Sequence, residues 1–297
     1  MKKKYYVNEN AFSGDINEEK AYWIGFLAAD GCVGKDKRLQ LKLKKGDCNH
    51  IEKFKNFLEY NGIIEHRISQ LGKNIRKNGL KKYYEVSLLR VSNKNIWKDL
   101  EQYGIVNNKS LSLEFPLNIP ENMLRHYIRG YIDGDGCWSS DHRKCPTVTM
   151  TIVSTKNFLF SINEIFLKYN LVKQFNKIKQ PSKIYALAFG GNKQVKKIAE
   201  WLYCESSIYL DRKKEYLIDH NIIDNNGKSV VKIINKNGKN NSNAKKYKMI
   251  SPDNKEYIVH GNLRKFCNER KLNYPDILDV RFNRKDNYKG WLCNLIT

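Results

Sequence analysis

The chain has 297 residues, of which 54 are Lys or Arg and 31 are Asp or Glu, so its formal net charge is +23. So large a positive excess indicates a polyanionic partner, either nucleic acid or an anionic membrane surface. No apolar run approaches the ~20 residues that a membrane-spanning helix requires, and the basic N-terminus lacks the apolar core of a signal peptide. Nucleic acid is therefore the favoured partner.

The Cys and His residues exclude two kinds of site. The seven Cys form no Cys-x-x-Cys pair and the six His show no paired spacing. These patterns argue against a zinc ribbon and against a His-Asn-His nuclease site. An odd, scattered set of Cys fits a reducing compartment. We therefore expect an intracellular protein, located in a cytoplasm, a phage-infected host cell or an organelle, that is not secreted.

The first predicted helix ends in an Asp-Gly-Cys sequence that returns 105 residues later. Residues 23–32 read WIGFLAADGC and residues 128–137 read IRGYIDGDGC, so the helices end at Asp30 and Asp135. A carboxylate in the last helical turn faces the negative end of the helix dipole, which is unfavourable by roughly 0.3–1 kcal/mol. Its occurrence at two equivalent places indicates a purpose such as binding a divalent cation. The alternative is two unrelated helices with glycine C-caps, which are common.

Both helices carry small residues four positions apart, Gly25 and Ala29 in the first and Gly130 and Gly134 in the second. Such a stripe lets two helix backbones approach closely. If the two stripes pack against each other, the two terminal carboxylates emerge side by side. Carboxylates that close repel each other unless a cation lies between them, and Mg²⁺ prefers carboxylates together with phosphate oxygens and water.

The two segments resemble the LAGLIDADG motif of homing endonucleases, in the single-chain form that carries two motifs. Both keep the terminal acid and the glycine after it. The first has Ala28 where the family often has another acid, and the second keeps Asp133. That position is not the metal ligand in the family. The resemblance implies that Asp30 and Asp135 are catalytic metal ligands, one for each DNA strand, and that the cofactor is Mg²⁺, for which Mn²⁺ can substitute.

After each motif the sequence predicts a strand, a helix, two further strands and a helix. The strands at 39–44 and 147–152 alternate apolar and polar residues, so one face packs on helices and the other meets water or DNA. The helices after them begin at Asp47 and near Ser154 or Thr155. Later strands and helices are expected at 64–70, 83–91, 94–103, 174–178, 184–189 and 193–203. This alternation alone indicates only a mixture of α and β.

The resemblance implies more about the fold and the DNA contacts. It implies an α+β fold of two αββαββα repeats related by a pseudo-twofold axis, each with an antiparallel DNA-binding sheet. Outward side chains of the first long strand in each sheet would enter the major groove, although phosphate contacts are equally consistent with their chemistry. These DNA-binding residues are Gln40, Lys42, Lys44, Thr147, Thr149 and Thr151.

Each repeat also closes on a lysine. Lys109 and Lys213 are 104 residues apart, which nearly equals the spacing of the two acids. Family members commonly carry a basic residue here that reaches the active-site water and phosphate, so the resemblance implies catalytic roles for both lysines. An ordinary solvated lysine is the alternative at each position, and Lys214 competes for the second.

The rest of the chain predicts a linker and a small C-terminal unit. Within the linker, residues 235–246 are polar and Asn-rich, and unsuited to packing in a core. In the unit after it we expect a hairpin at 246–250 and 256–260, a helix capped by Asn262, a second helix at 274–282 and a final strand. The predicted domains are two LAGLIDADG repeats, the linker and the C-terminal module, at 1–116, 117–220, 221–246 and 247–297.

The C-terminal module resembles the short DNA-binding repeats appended to phage homing endonucleases of other nuclease classes. The residues from 221 onward carry 16 Lys and Arg against 7 Asp and Glu, a net charge of +9. The resemblance implies DNA contacts from Arg264, Lys265 and Lys289. A subdomain that only stabilises the core is the alternative.

These features together predict a monomeric, site-specific DNA endonuclease of the LAGLIDADG homing type, a kind of enzyme associated with intron homing and mobile elements. By resemblance, its product would be a double-strand break with short 3′ overhangs. The alternative is an intron RNA maturase, with intron RNA as its partner, or a non-cleaving DNA-binding regulator on the same scaffold. Loss of the acids is the usual sign of that change. Both acids are present here, so cleavage of double-stranded DNA is the leading prediction.

Overall fold

The computed structural model describes residues 5–70, 83–141, 147–230 and 245–296, and the chain divides into two compact units, 1–230 and 231–297. The first unit contains two copies of the order αββαββα. The first copy consists of α1 (Glu18–Asp30), β1 (Gly31–Val33), β2 (Leu39–Lys44), α2 (Cys48–Phe57), β3 (Glu65–Gln70), β4 (Tyr83–Val91) and α3 (Lys94–Glu101). The second consists of α4 (Leu124–Asp135), β5 (Gly136–Asp141), β6 (Thr147–Ser154), α5 (Lys156–Lys168), β7 (Ile178–Lys179), β8 (Tyr185–Gly190) and α6 (Asn192–Tyr203), and α7 (Asp211–Asp219) follows it.

Each copy forms a four-stranded antiparallel sheet with the same strand order. The orders are β1-β2-β4-β3 and β5-β6-β8-β7. The first strand of each sheet follows its motif helix without a loop, so Gly31 pairs with Leu41 and Gly136 pairs with Ile152. The predicted α+β fold with two repeats and antiparallel sheets is confirmed.

The two motif helices lie at the centre of the first unit. In α1 every residue from 20 to 28 is buried, and Trp23 and Phe26 are fully so. A helix that is apolar on every side is stable only when other elements surround it. In α4 the buried stretch runs from 126 to 133. One continuous hydrophobic core extends through both repeats around these helices, so the position of each helix end depends on the packing of the whole unit.

Side-chain caps define where several helices begin. Asn17 Oδ1 accepts the N–H of Lys20 at 2.9 Å at the start of α1. Thr155 Oγ1 accepts the N–H of Phe158 at 3.3 Å at the start of α5, where the sequence predicted a cap. Each cap satisfies a backbone donor that would otherwise have no partner within its helix.

The strand predicted at 174–178 is much shorter in the structure, where β7 contains only Ile178 and Lys179. Before Ile178, the backbone N–H and C=O of Asn176 bond to the side chain of an asparagine on α5 and not to a neighbouring strand. Asn163 Nδ2 donates to Asn176 O at 2.7 Å, and Asn176 N donates to Asn163 Oδ1 at 3.2 Å. Asn163 is fully buried, so this side chain ties the connecting segment to the helix.

The first unit extends to Val230, so it includes the first ten residues of the predicted linker. Ile222 and Ile223 are buried in its core, and Ile223 pairs with Ser229 in an isolated bridge. Most of the remaining linker, residues 231–244, lies outside the described residues.

The second unit has its own fold and core. It consists of β9 (Lys246–Ile250), β10 (Glu256–His260), α8 (Leu263–Glu269), α9 (Tyr274–Arg281) and β11 (Leu292–Ile296), with strand order β10-β9-β11. Asn262 Oδ1 accepts the N–H of Lys265 at 3.1 Å and caps α8, as predicted. Met249, Cys267, Ile277 and Cys293 form the centre of its core. Across the described ranges of both units, no helix has the length and apolar character to span a membrane.

Candidate active site

The motif helices touch through their glycines. A Cβ added at Gly25 would lie 1.9 Å from the carbonyl oxygen of Tyr127, and one added at Gly130 would lie 2.0 Å from that of Tyr22. Gly25 thus faces Tyr127, three positions before Gly130, and Gly130 faces Tyr22, three positions before Gly25. The reciprocal contact is what a twofold axis between the helices requires. It brings the C-terminal ends of α1 and α4 together and confirms that this face packs helix to helix.

The glycine after each helix is required because the helix backbone lies too close to leave room for a Cβ. A left-handed backbone conformation, the usual reason for a C-cap glycine, is not involved. Gly31 has φ −69° and Gly136 has φ −82°, both outside the left-handed region. A Cβ at Gly31 would lie 2.6 Å from Leu27 O, and one at Gly136 would lie 2.5 Å from Ile132 O. The backbone therefore leaves the helix directly into a strand, and the acid immediately before it stays at the junction.

Asp30 and Asp135 lie near each other at these junctions. Burial is the largest cause that raises the pKa of Asp30, to about 6, and the charge of Asp135 adds to it. Burial also raises the pKa of Asp135. Because both carboxylates are half-buried and their charges repel, ionising both at once is unfavourable, and a cation between them would stabilise the ionised pair.

These two carboxylates suit a divalent ion that keeps other ligands. Among the residues that the structure describes, no group of three or more His, Cys, Asp or Glu could enclose a metal ion. An ion between Asp30 and Asp135 would therefore have coordination positions left for phosphate oxygens and water. Mg²⁺ is commonly bound in this way, by one or two carboxylates plus substrate phosphates, so the donor set fits the predicted cofactor.

A buried lysine lies under each junction. Lys109 Nζ donates to Gly31 O at 2.6 Å and to Ala29 O at 3.2 Å. Lys213 Nζ donates to the equivalent oxygens, Gly136 O at 2.5 Å and Gly134 O at 3.1 Å. Both ammonium groups thus bind carbonyls at the negative end of a helix, where a cation is favourable.

The two lysines differ in how many donors remain. Lys213 Nζ makes a third bond, to Ile132 O at 2.7 Å, so backbone carbonyls occupy all three of its N–H groups. Lys109 makes two such bonds. Burial lowers the pKa of both, that of Lys213 to about 8. Lys214, the competing position, lies instead with its Nζ 3.9 Å from the ring centroid of Tyr209, so Lys213 is the structural counterpart of Lys109.

The predicted DNA-binding strands have the expected alternation. Leu39, Leu41 and Leu43 are buried in β2, whereas Gln40 is half-buried and Lys42 and Lys44 are exposed. In β6 the even-numbered residues are buried, and the outward threonines at 147, 149 and 151 are half-buried. The polar faces therefore exist where they were predicted.

Two exposed thiols extend these polar faces toward the acids. Cys32 pairs with Gln40 across β1 and β2, and Cys137 pairs with Thr151 across β5 and β6. Both Cys side chains are exposed. The sequence marked these positions only through the repeated Asp-Gly-Cys, and the structure places them on the outward face beside the acids.

A comparison with protein-family models finds a LAGLIDADG-like domain over residues 17–104 and 122–202, more than half of the 297 residues. The chain belongs to the LAGLIDADG-like domain family. Both matched segments contain one motif helix and the sheet that follows it, as the two repeats require.

Several solved meganucleases and homing endonucleases are similar to this chain. The meganuclease I-AabMI bound to uncleaved DNA shares 17% identity over 69% of this chain and 89% of that chain, with a TM-score of 0.42. The homing endonuclease I-LtrWI bound to target DNA shares 14% over 67% and 88%, with a TM-score of 0.45. The homing endonuclease I-WcaI bound to its DNA recognition sequence shares 14% over 65% and 84%, with a TM-score of 0.46. No curated protein matches the chain.

The second LAGLIDADG helix carries a buried charged pair that the first lacks. Arg129 and Asp133 are both fully buried on α4, at positions where α1 has Ile24 and Ala28. Asp133 accepts three hydrogen bonds, from Tyr22 Oη at 2.8 Å, Tyr203 Oη at 2.6 Å and Leu210 N at 2.8 Å. Asp133, which the family resemblance implied is not a metal ligand, therefore accepts hydrogen bonds from protein donors.

Arg129 is satisfied in the same way. Its guanidinium donates to Ile208 O at 2.9 Å, Leu202 O at 2.8 Å and Glu18 Oε1 at 2.8 Å. Together with Asp133 it ties the segment between α6 and α7 to the motif helices. Because α7 carries Lys213, this pair positions the lysine beneath the second helix end. The sequence contains Arg129 within the motif but gave no indication of the carbonyls it binds, which lie more than 70 residues away.

The predicted tail contacts lie on the surface of the second unit. Arg264, Lys265 and Lys289 are all exposed. Arg264 lies 5.0 Å from the ring centroid of Tyr274, Lys265 pairs with Glu269 at 3.7 Å, and Lys289 lies 5.5 Å from the ring of Tyr288. Exposed cations held over aromatic rings are available for phosphate contacts.

Proposed function

We propose that this protein is a site-specific DNA endonuclease of the homing type, which hydrolyses both strands of a long duplex target with Mg²⁺, or with Mn²⁺ in its place. The observation that carries the proposal is the pair Asp30 and Asp135, each at the end of a central helix with a buried lysine beneath it. Two equivalent acidic centres in one chain match a substrate with two equivalent strands. A monomer would therefore supply the whole site.

The chemistry follows from the positions of these groups. Asp30 and Asp135 would hold the divalent ion, which when bound activates water and stabilises charge on the attacked phosphate. A water oxygen bonds to phosphorus as it loses a proton, the bond from phosphorus to one sugar oxygen breaks, and that oxygen takes up a proton to leave as a sugar hydroxyl. With one acid for each strand, the product would be a double-strand break, and short 3′ overhangs are the form we propose.

The two lysines would support the acids in different ways. Lys109 has one N–H beyond its two carbonyl bonds, so it can donate to a phosphate oxygen or a water molecule. Lys213 donates all three of its N–H groups to carbonyls. Its positive charge would therefore act on the acids and the phosphate through space, without a direct hydrogen bond, unless one of those bonds breaks. Both cations would hold the junctions that set the separation of the acids.

The two outward sheet faces would bind the duplex. Lys42 and Lys44 can pair with phosphates or with guanine edges, and the threonines of β6 can accept, donate or contact a thymine methyl. The net charge of +23 would add a strong, salt-dependent attraction to the backbone. The basic tail unit would supply further contacts outside the central site, and the protein would act inside a cell.

The proposal is tested by selecting cleaved sites from a randomised duplex library in the presence of Mg²⁺. Recovery of one long consensus sequence cut on both strands supports a homing endonuclease. Tight duplex binding without cleavage would instead indicate a regulator. Binding confined to intron RNA would indicate a maturase.

A further inference from the structure

A basic cavity lies at the far end of the second sheet, away from the acids. Its volume is about 780 Å³, and it lies between the segment that joins α5 to β7 and the turn that joins β8 to α6. Four lysines line it, and no Asp or Glu does. These lysines are Lys173, Lys177, Lys193 and Lys197.

Three of the four ammonium groups are uncommitted. Lys173, Lys177 and Lys193 are exposed, and none forms an ion pair with a residue in the part of the chain that the structure describes. Lys197 donates to Asn170 O at 3.1 Å, which holds it at the wall. Like charges around one cavity repel each other, and an anion between them would remove that repulsion.

The first repeat shows that folding does not require this charge. Residues 93–98 read NKNIWK and residues 192–197 read NKQVKK, so the helix starts correspond, with Lys94 matching Lys193. The segment that joins α2 to β3, residues 58–64, contains no Lys or Arg. The corresponding segment of the second repeat contributes Lys173 and Lys177 to the cavity. The corresponding pocket of the first repeat differs in charge, because it is lined by an acid, Glu65, which pairs with Arg90 at 3.1 Å.

The cavity adjoins the outward face of the sheet. Gly190, which lines it, pairs with Thr149, and Asn192 Oδ1 accepts the N–H of Val148 at 3.0 Å. The acid end of the same sheet lies where Gly136 pairs with Ile152. From Val148 at the cavity end to Ile152 at the acid end, β6 advances four residues, which is about 13 Å at 3.3 Å per residue. Along a duplex that follows the face, this distance corresponds to roughly four base pairs.

An exposed aromatic pair completes the wall. Phe175 lines the cavity with 41% of its surface exposed, and its ring lies 4.9 Å from that of Phe160, which is 46% exposed. Apolar rings beside free ammonium groups match a nucleotide, whose sugar is apolar on one side and whose phosphate is anionic.

We propose that this cavity binds a backbone phosphate of the target DNA on the outer flank of the half-site contacted by the second sheet. The lysines neutralise the phosphate, and Phe175 contacts the adjoining sugar. The contact makes the two half-sites unequal, because Glu65 already pairs with Arg90 in the corresponding pocket of the first repeat, whereas no acid lines the cavity of the second. This inference rests on the proposed function, since it requires a duplex along the sheet.

The test compares K177Q/K193Q with the matched control K94Q/K98Q, which removes the same charge from exposed positions of the first repeat. Both variants should keep the wild-type melting temperature. The salt dependence of binding to the selected target should become shallower for K177Q/K193Q, by about 0.9 in the slope of log K against log salt for each phosphate that the variant no longer neutralises. Hydroxyl-radical footprints should show weaker protection only on the outer flank of the second half-site.

The outcomes separate this inference from the proposed function. An unchanged slope and footprint for K177Q/K193Q, in a wild-type protein that binds and cuts its target, would overturn the phosphate site alone. An equal reduction of the slope in both variants, without a flank-specific change in the footprint, would also overturn it, because general attraction would then explain the effect. A wild-type protein that neither binds nor cuts duplex DNA would overturn both.

Discussion

Substituting Gly25 by alanine should destabilise the first unit measurably, because the added methyl group has no space. The new Cβ would lie 1.9 Å from Tyr127 O, where a carbon and an oxygen in contact normally lie about 3.3–3.6 Å apart. The two helices would have to separate by roughly 1.4 Å at this point. Overpacking of this kind costs about 1–3 kcal/mol. For a domain of this size, the melting temperature should fall by roughly 2–12 °C.

The measurement is a thermal melt of Gly25→Ala beside Gly130→Ala and Gly46→Ala. Gly130→Ala should behave like Gly25→Ala, since its Cβ would lie 2.0 Å from Tyr22 O. A Cβ at Gly46 meets nothing within 4 Å, so that variant should melt at the wild-type temperature or slightly above it. At a temperature where it remains folded, Gly25→Ala should also cut DNA more slowly, because its helix ends have shifted. If all three variants melted alike, the close packing of the motif helices would be refuted.

Three further predictions concern charge. Arg129→Met should lower the free energy of unfolding by about 3–5 kcal/mol in a denaturant titration, because it leaves buried carbonyls and Glu18 without their donor; a change below 1 kcal/mol would contradict the positioning role. The pKa of Asp30 is raised from 3.8 to about 6, so the stability contributed by its protonated form is fully present below about pH 4 and is lost as the pH rises through 6. Without metal, the free energy of unfolding of the wild-type protein should therefore fall by up to about 3 kcal/mol from this group between pH 4 and pH 7, whereas that of Asp30→Asn should not. Urea titrations at both pH values measure this, and a parallel change in the two proteins would argue against the raised pKa. Truncation after Val230 removes 15 Lys and Arg and 6 Asp and Glu, a net charge of +9. The remaining unit is compact by itself and should stay folded, but it should bind DNA more weakly and with a shallower slope of log K against log salt. An unchanged slope, or a failure to fold, would favour a stabilising cap.

Local patterns in the sequence were sufficient to predict the helix ends and the polar faces. The spacing of Gly25 and Ala29 predicted a close helix contact, and the alternation in β2 and β6 predicted which side chains point outward. Both properties depend on residues within a few positions of one another. The repetition of the motif then related the two halves of the fold.

The sequence could not show contacts between distant segments. The bonds from Arg129 to residues 202 and 208 and the bonds between Asn163 and Asn176 depend on tertiary packing. The second case shortened a predicted strand, because a buried side chain took its ladder bonds. The resemblance and the spacing together indicated the two lysines, but only the structure shows that Lys213 gives all its donors to carbonyls.

The most direct test of the central claim is the rate of double-strand cleavage of the selected target, with Mg²⁺, by Asp30→Asn and Asp135→Asn. Each change removes one carboxylate charge that we propose holds the metal, with little change of shape. Asp36→Asn, at a surface acid paired with Arg38 at 2.8 Å, is the matched control. The account predicts that both active-site variants bind the target but fail to cut both strands, whereas the control cuts as the wild-type protein does. If both active-site variants cut both strands at the wild-type rate, these acids are not the catalytic centre.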